Sequence, residues 1–201
     1  MQAFLALALV FIGTMSSQVA ASTTTIKPLP QVWALSDFEG TLLDAAFSVD
    51  GTKLVTANGS SKIQIWKTAT GSLDIELDMP NDLAVEKVAY SPDGSKIAVA
   101  NAAHPSGLFI YLIDTKTGRV VHTLTVAEKS ASLTDMIFNE TGDVLYSATD
   151  ADNGVAIWNV NTGKVIGKFS LGQKPISLAY LAKNNQLAVA IENGSVSVRN
   201  A

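Results

Sequence analysis

Between residues 86 and 124 the chain alternates short apolar runs with polar breaks. The runs are 88–90, 97–100, 108–113 and 120–124; the breaks are Pro92-Asp93-Gly94, the looser stretch 101–107 and the turn 115–118. Apolar runs of this length bounded by turn residues predict β-strands. Asp-Gly and Thr-Gly place glycine where a hairpin turn requires positive φ, so each break has a mechanical cause. Four strands joined by three hairpin connections make one antiparallel meander.

The same order of parts recurs along the chain. Residues 45–77 carry Phe47, Asp50-Gly51, apolar runs at 54–57 and 63–66, and Thr70-Gly71. Residues 135–169 carry Phe138, Gly142, runs at 144–148 and 155–158, and Thr162-Gly163. A last copy over 176–200 has Tyr180, Asn184-Asn185 and runs at 187–191 and 196–198. Corresponding points lie roughly 45 residues apart, the period of four-stranded propeller blades. One such sheet cannot bury both of its faces, whereas several stacked radially can. The expected fold class is all-β, a β-propeller of four-stranded antiparallel blades with four repeats. Gly71, Gly118 and Gly163 each follow a Thr and precede an outer strand, and each is expected at φ > 0.

The repeats resemble WD-repeat blades and the related YVTN-type propellers of bacterial surfaces and periplasm. Trp66-Lys67, Ile113-Asp114, Trp158-Asn159 and Arg199-Asn200 stand where the first family has its Trp-Asp pair. SPDGSKIAVAN (91–101) and IDTKTGRVVHTL (113–124) resemble the second. The resemblance covers residue 31 to the last. No copy has an intact Trp-Asp and none has the family's Gly-His pair, so the buried His-Ser-Asp-Trp network lacks members in every blade.

Ahead of the repeats, residues 3–12 are apolar throughout, too short for the roughly twenty residues of a membrane span. Small and polar residues follow, then Val19-Ala20-Ala21 before Ser22. This pattern predicts a secretory signal peptide over 1–21, although a basic n-region is missing. Residues 22–30 (STTTIKPLP) read as a linker, and 31–201 as the repeat domain. The expected location is secreted or periplasmic.

Composition removes several classes of function. Acidic residues number 18 against 14 basic, a net charge of −4. No Lys/Arg cluster offers an electrostatic footprint for nucleic acid, and no basic amphipathic helix offers one for a membrane surface. Cysteine is absent, which excludes disulfides, thiolate zinc sites and iron–sulfur clusters.

The candidate chemistry is sparse. Asp150-Ala151-Asp152-Asn153-Gly154 resembles a calcium loop, but its glycine arrives one residue early and the twelfth position is Asn161, so the ligand set does not close. His122 falls within an apolar run and reads as structural. His104 lies in AAHPSG, the longest connection inside a blade; Ser106 beside it has no positioned base and acid. Asn58, Asn139 and Asn193 head N-glycosylation sequons, each within a turn. Trp33, Trp66 and Trp158 read as packing wedges. No catalytic residue, metal site or cofactor is assigned.

The function this supports is an exported, non-catalytic propeller that binds another protein or a ligand, with no membrane span after cleavage. The favoured binding surface is the edge carrying Asn58, His104, Asp150, Asp152 and Glu192, all in loops. Two alternatives stand beside it. One is a metal-dependent propeller enzyme of the lactonase or hydrolase type using Asp135, Asp150 and Asp152; the other is a fragment of a longer propeller. The last copy stops after its third strand, and residues 31–37 (QVWALSD) sit at the spacing of a fourth. That strand closing the ring predicts a four-bladed monomer or a head-to-tail dimer of eight blades.

Overall fold

The computed structural model describes Val32, Ala34 and residues 40–127 and 131–201. The chain divides into residues 1–32 and 33–201, and every described strand belongs to the second unit. The expected signal peptide, the linker and Trp33 lie outside the described residues. So does most of the closing strand at 31–37; Val32 and Ala34, which are described, belong to no strand.

Among the described residues, fifteen strands form four antiparallel sheets, each a meander in chain order. The first blade is β1 (Asp44–Phe47), β2 (Lys53–Ala57), β3 (Lys62–Lys67) and β4 (Leu73–Asp78). The second is β5 (Val85–Tyr90), β6 (Lys96–Asn101), β7 (Leu108–Asp114) and β8 (Val120–Ala127). The third is β9 (Leu133–Phe138), β10 (Val144–Thr149), β11 (Gly154–Asn159) and β12 (Lys164–Ser170). The fourth has three strands among the described residues, β13 (Pro175–Leu181), β14 (Gln186–Ile191) and β15 (Val196–Asn200). The all-β expectation holds, and each apolar run of the four repeats lies in a strand of its own.

The turns are held by their own side chains. In the first blade Ser48 Oγ–H donates to Asp50 Oδ1 (2.6 Å), which also accepts Thr52 N–H (3.0 Å). Ser91, Asp93 and Ser95 repeat that arrangement in the second. At the third-to-outer turns, Asp114 Oδ1 accepts from Thr117 N–H and Oγ–H, and Asn159 Oδ1 accepts from those of Thr162. The second residue of the Trp-Asp position thus caps a turn in both blades. Gly71, Gly118 and Gly163 have φ of 69°, 66° and 67°, as expected.

Among the described residues, three apolar clusters fill the spaces between consecutive blades. Alternation along each strand sends one set of side chains toward the preceding blade and the other toward the next. Ile97 and Ile113 of the second blade therefore meet Val55 and Ile65 of the first. Leu112, its neighbour in β7, packs with Phe138 and Leu145 of the third. Burying each such side chain is worth roughly 1.5–3 kcal/mol, which makes the stack the main stabilising term.

A polar pair marks alternate blades. Trp66 Nε1–H donates to Thr56 Oγ1 (3.0 Å), and Trp158 Nε1–H to Ser147 Oγ (2.9 Å). In the second blade Ile113 replaces the Trp and Val99 replaces the hydroxyl; in the fourth they are Arg199 and Val189. A buried indole N–H without an acceptor costs about 1–3 kcal/mol, so the two positions change together. Part of the buried network that the resemblance implies therefore persists in two blades.

The same two blades carry a carboxylate clip. Asp44 Oδ2 accepts Val88 N–H of the second blade (3.0 Å), and Asp135 Oδ2 accepts Leu178 N–H (2.7 Å) and Ser177 Oγ–H (3.0 Å) of the fourth. Each thereby satisfies an innermost-strand donor of its neighbour.

His122 on β8 reaches the third blade, its Nε2 lying 3.0 Å from Asn161 O. A Cβ on Gly163 would fall 2.8 Å from His122 Cγ, whereas one on Gly51, at φ 68°, would meet nothing within 4 Å. We expect Gly51→Val to cost about 1–3 kcal/mol for its backbone conformation alone. Gly163→Val should cost at least ~1 kcal/mol more for the added contact. Urea unfolding of the two variants measures the difference, and equal costs would show that the blade-to-blade contact is not tight.

Candidate functional site

The meander topology separates two edges. Loops joining second to third strands, and one blade to the next, share the loop edge; the first-to-second and third-to-outer turns share the turn edge.

The five expected binding residues all lie on the loop edge. Asn58 is buried, 3% exposed, and its Oδ1 accepts from Ser60 N–H and Oγ–H. His104 is exposed, with Nδ1 accepting Ser106 N–H (3.1 Å). Asp152 Oδ1 accepts Thr149 Oγ–H (3.1 Å), and Asp150 Oδ1 accepts Ser132 N–H (2.8 Å). Glu192 is exposed. Lys174 links two blades here, because its Nζ lies 3.9 Å from Asp150 Oδ2 and its carbonyl accepts Glu192 N–H. Asp150 and Glu192 are thus brought to one neighbourhood, while no hydrogen bond joins any two of the five among the described residues. Among the described residues no three His, Cys, Asp or Glu side chains gather as they would around a metal ion. Asp135 is engaged in its clip to the fourth blade.

Two features of this edge escape the sequence pattern. Asn101, fully buried, donates from Nδ2 to the carbonyls of Ala102 and Gly107 and accepts Phe109 N–H on Oδ1 (2.6 Å), closing the loop that carries His104. Its place at the end of β6 was the available signal. Asn81 and Asp82, between the first two blades, stand consecutively at φ 62° and 51°. Asn and Asp tolerate this left-handed region best, so the chain reverses sharply there without glycine.

A second concavity lies on the turn edge between the first two blades, a cleft of about 350 Å³. Asp50, Asp74 and Asp93 line it with Lys53 and Tyr90. Ser48 and then Thr52 hold the Asp50 carboxyl below the usual range by hydrogen bonding, and Lys53 followed by Lys67 does the same for Asp74. Burial opposes the charge of Asp93, but hydrogen bonds from Ser91 and Ser95 outweigh it and its pKa is lowered. Burial first, then the charges of Asp50 and Asp74, push the Tyr90 phenol up to about 12. All three carboxylates remain charged at neutral pH, making the cleft acidic. On the same edge a mainly apolar hollow of similar size is lined by Tyr90, Met136, Phe138 and Tyr180 of three innermost strands.

No family model matches the chain. It is similar to the intraflagellar transport protein 122 homolog of Xenopus tropicalis, 26% identical over 162 residues, 81% of this chain and 12% of the relative. The Homo sapiens homolog is 28% identical over 157 residues, 78% of this chain and again 12% of the relative. The chain thus spans only 12% of the length of these curated relatives. With the four antiparallel sheets, the similarity supports a WD-repeat, β-propeller-like protein.

The Tyr90 phenol supplies a test of the cleft. Its folded pKa of about 12 exceeds the ordinary 10, so the folded state keeps a proton that the unfolded chain releases. The associated stability is complete below pH 10 and lost as pH rises toward 12. Ultraviolet titration of wild type against Tyr90→Phe should isolate a phenol titrating near pH 12, and Asp74→Asn should lower that value. A Tyr90 titrating near 10 in the wild type contradicts the described cleft.

Proposed function

We propose that this β-propeller-like chain is an exported, non-catalytic interaction module that binds another protein through its loop edge. The observation that carries the reading is how firmly that edge is held. Gly59 N–H donates to Val85 O, and Val85 N–H donates to Ser60 O, tying a loop of the first blade to the second. Asn101 clamps the His104 loop, and Lys174 ties the third blade's loop to the fourth's. Loops held this way lose little conformational freedom when a partner docks, which favours recognition. His104, Asp152 and Glu192 are exposed on these supports, and Asp150 is half-buried beside Lys174. Export is supported by the apolar core of residues 3–12 and by Val19-Ala20-Ala21, with cleavage ahead of Ser22. Such a module presents chemistry on a rigid frame, and its partner is chosen by the side chains at the loop tips.

The test is capture from the native periplasm or culture medium. Wild-type protein is expected to retain a specific partner that the triple variant His104→Ala, Asp152→Ala, Glu192→Ala loses at unchanged melting temperature. N-terminal sequencing of the exported protein should begin at Ser22. Retention of the same partner by the triple variant overturns the loop-edge assignment, and a soluble cytoplasmic chain retaining Met1 overturns export.

A further inference from the structure

Three blades end in an outer strand, β4, β8 or β12, and the far side of each pairs with no other strand among the described residues. Such an edge is a row of unpaired backbone donors and acceptors, which proteins guard with charge, proline, brevity or bulges. The guards differ among the three. β4 (LDIELD) carries Asp74, Glu76 and Asp78, and β12 (KVIGKFS) carries Lys164, Lys168 and Gly167. β8 (VVHTLTVA) is the longest, eight residues against six and seven, and has no Asp, Glu, Lys, Arg, Gly or Pro.

The second blade has both faces covered, the first blade packing on one and the third on the other. The openness of its outer edge therefore depends on neither end of the chain. Register shifts fall between Leu108 and Phe109 and between Leu112 and Ile113 of β7, and between them His122 to Thr125 pair regularly with β7. The bulges thus bound a regular stretch of edge rather than interrupt it. Leu124 is buried toward the third blade, and His122 reaches the same blade. Thr123 and Thr125 point the other way and are exposed, and their hydroxyls have no partner among the described residues.

This stretch is complementary to a second copy of itself laid antiparallel. With Leu124 opposite its own counterpart, Thr123 of each copy stands beside Thr125 of the other. Thr–Thr pairs favour a sheet, whereas like charges directly opposite each other oppose one. The same operation on β4 sets Asp74 against Asp78 and Glu76 against itself. On β12 it sets Lys164 against Lys168. Of the three outer strands, β8 alone pairs with its own copy without meeting a like charge.

We infer that two copies of this chain join through β8, the strands pairing antiparallel about a twofold axis at Leu124 so that one sheet runs through both. The contact is isologous. Main-chain hydrogen bonds along the joined edges supply the affinity, as in other strand additions. β8 runs from the turn edge to the loop edge, so the two loop edges point in opposite directions and neither is covered. The pairing does not rest on the loop-edge reading, but it would give such a module two binding surfaces in one assembly.

The experiment is light scattering coupled to gel filtration on the full chain, across concentrations, with three double variants. One carries Thr123→Lys with Thr125→Lys, the second Thr123→Glu with Thr125→Glu, and the third Thr123→Lys with Thr125→Glu. Both positions are exposed, so circular dichroism and melting of the single chain should stay unchanged. Wild type is expected to reach twice the mass of one chain as concentration rises. The first two variants set like charges opposite each other twice, and each should raise the dimer Kd at least about tenfold. Mixing those two should restore the dimer, and the third should keep it, because opposite charges then face each other. A wild type monomeric at every concentration overturns the inference, as does a dimer indifferent to the first two variants. Failure of the mixture to associate overturns the contact through β8, and loss of the dimer in the third variant overturns the register centred on Leu124.

Discussion

Face-to-face burial of one sheet on the next is the interaction on which this structure depends. Strands such as β6 and β7 are apolar on both sides, so the sheet they form exposes oil whichever way it turns. Only a neighbour on each face removes that cost. The innermost-strand clips from Asp44 and Asp135, and the contact between His122 and the turn at Gly163, refine a stack that apolar burial has already required.

The stack is periodic in two blades rather than one. Trp with a hydroxyl partner, and an Asp clip toward the following blade, belong to the first and third; apolar pairs and Lys87 or Ser177 replace them in the second and fourth. This alternation follows from close packing. A tryptophan needs a facing surface of small residues, and a bulky facing surface excludes the tryptophan. Once one contact uses alanines and the next uses larger side chains, each blade must have one face of each kind.

The proposed function rests on the separation of the two edges. The loop edge is made of connections tied backbone to backbone across blades, with charged tips exposed. The turn edge is made of self-capped turns around an acidic cleft whose carboxylates already hold partners within the chain. The loop edge thus presents His104, Asp152 and Glu192 exposed on rigid supports, whereas the turn edge uses its carboxylates chiefly to shape the turns and the cleft. That contrast, rather than the presence of a cleft, is the reason the loop edge is the proposed binding surface.

The sequence by itself determined the blades. Apolar runs, Asp-Gly and Thr-Gly turns and a period near 45 residues are local signals, and local backbone sterics act on them directly; hence the strands of all four copies and the positive φ of Gly71, Gly118 and Gly163 were legible. The loop positions of His104, Asp150, Asp152 and Glu192 were legible for the same reason. Burial of Asn58, the clamp made by Asn101, the left-handed pair Asn81 and Asp82, and the acidic cleft beneath Tyr90 were not. The burial of Asn58 and the acidic cleft depend on which groups from distant parts of the chain arrive at the same place. The Asn101 clamp, by contrast, closes on nearby Ala102, Gly107 and Phe109, and the Asn81-Asp82 pair lacks the glycine that marks a left-handed turn in the sequence. Only the stacked structure decided which faces are dry and which stay open, because a side chain's burial is a property of its neighbour and not of its own strand.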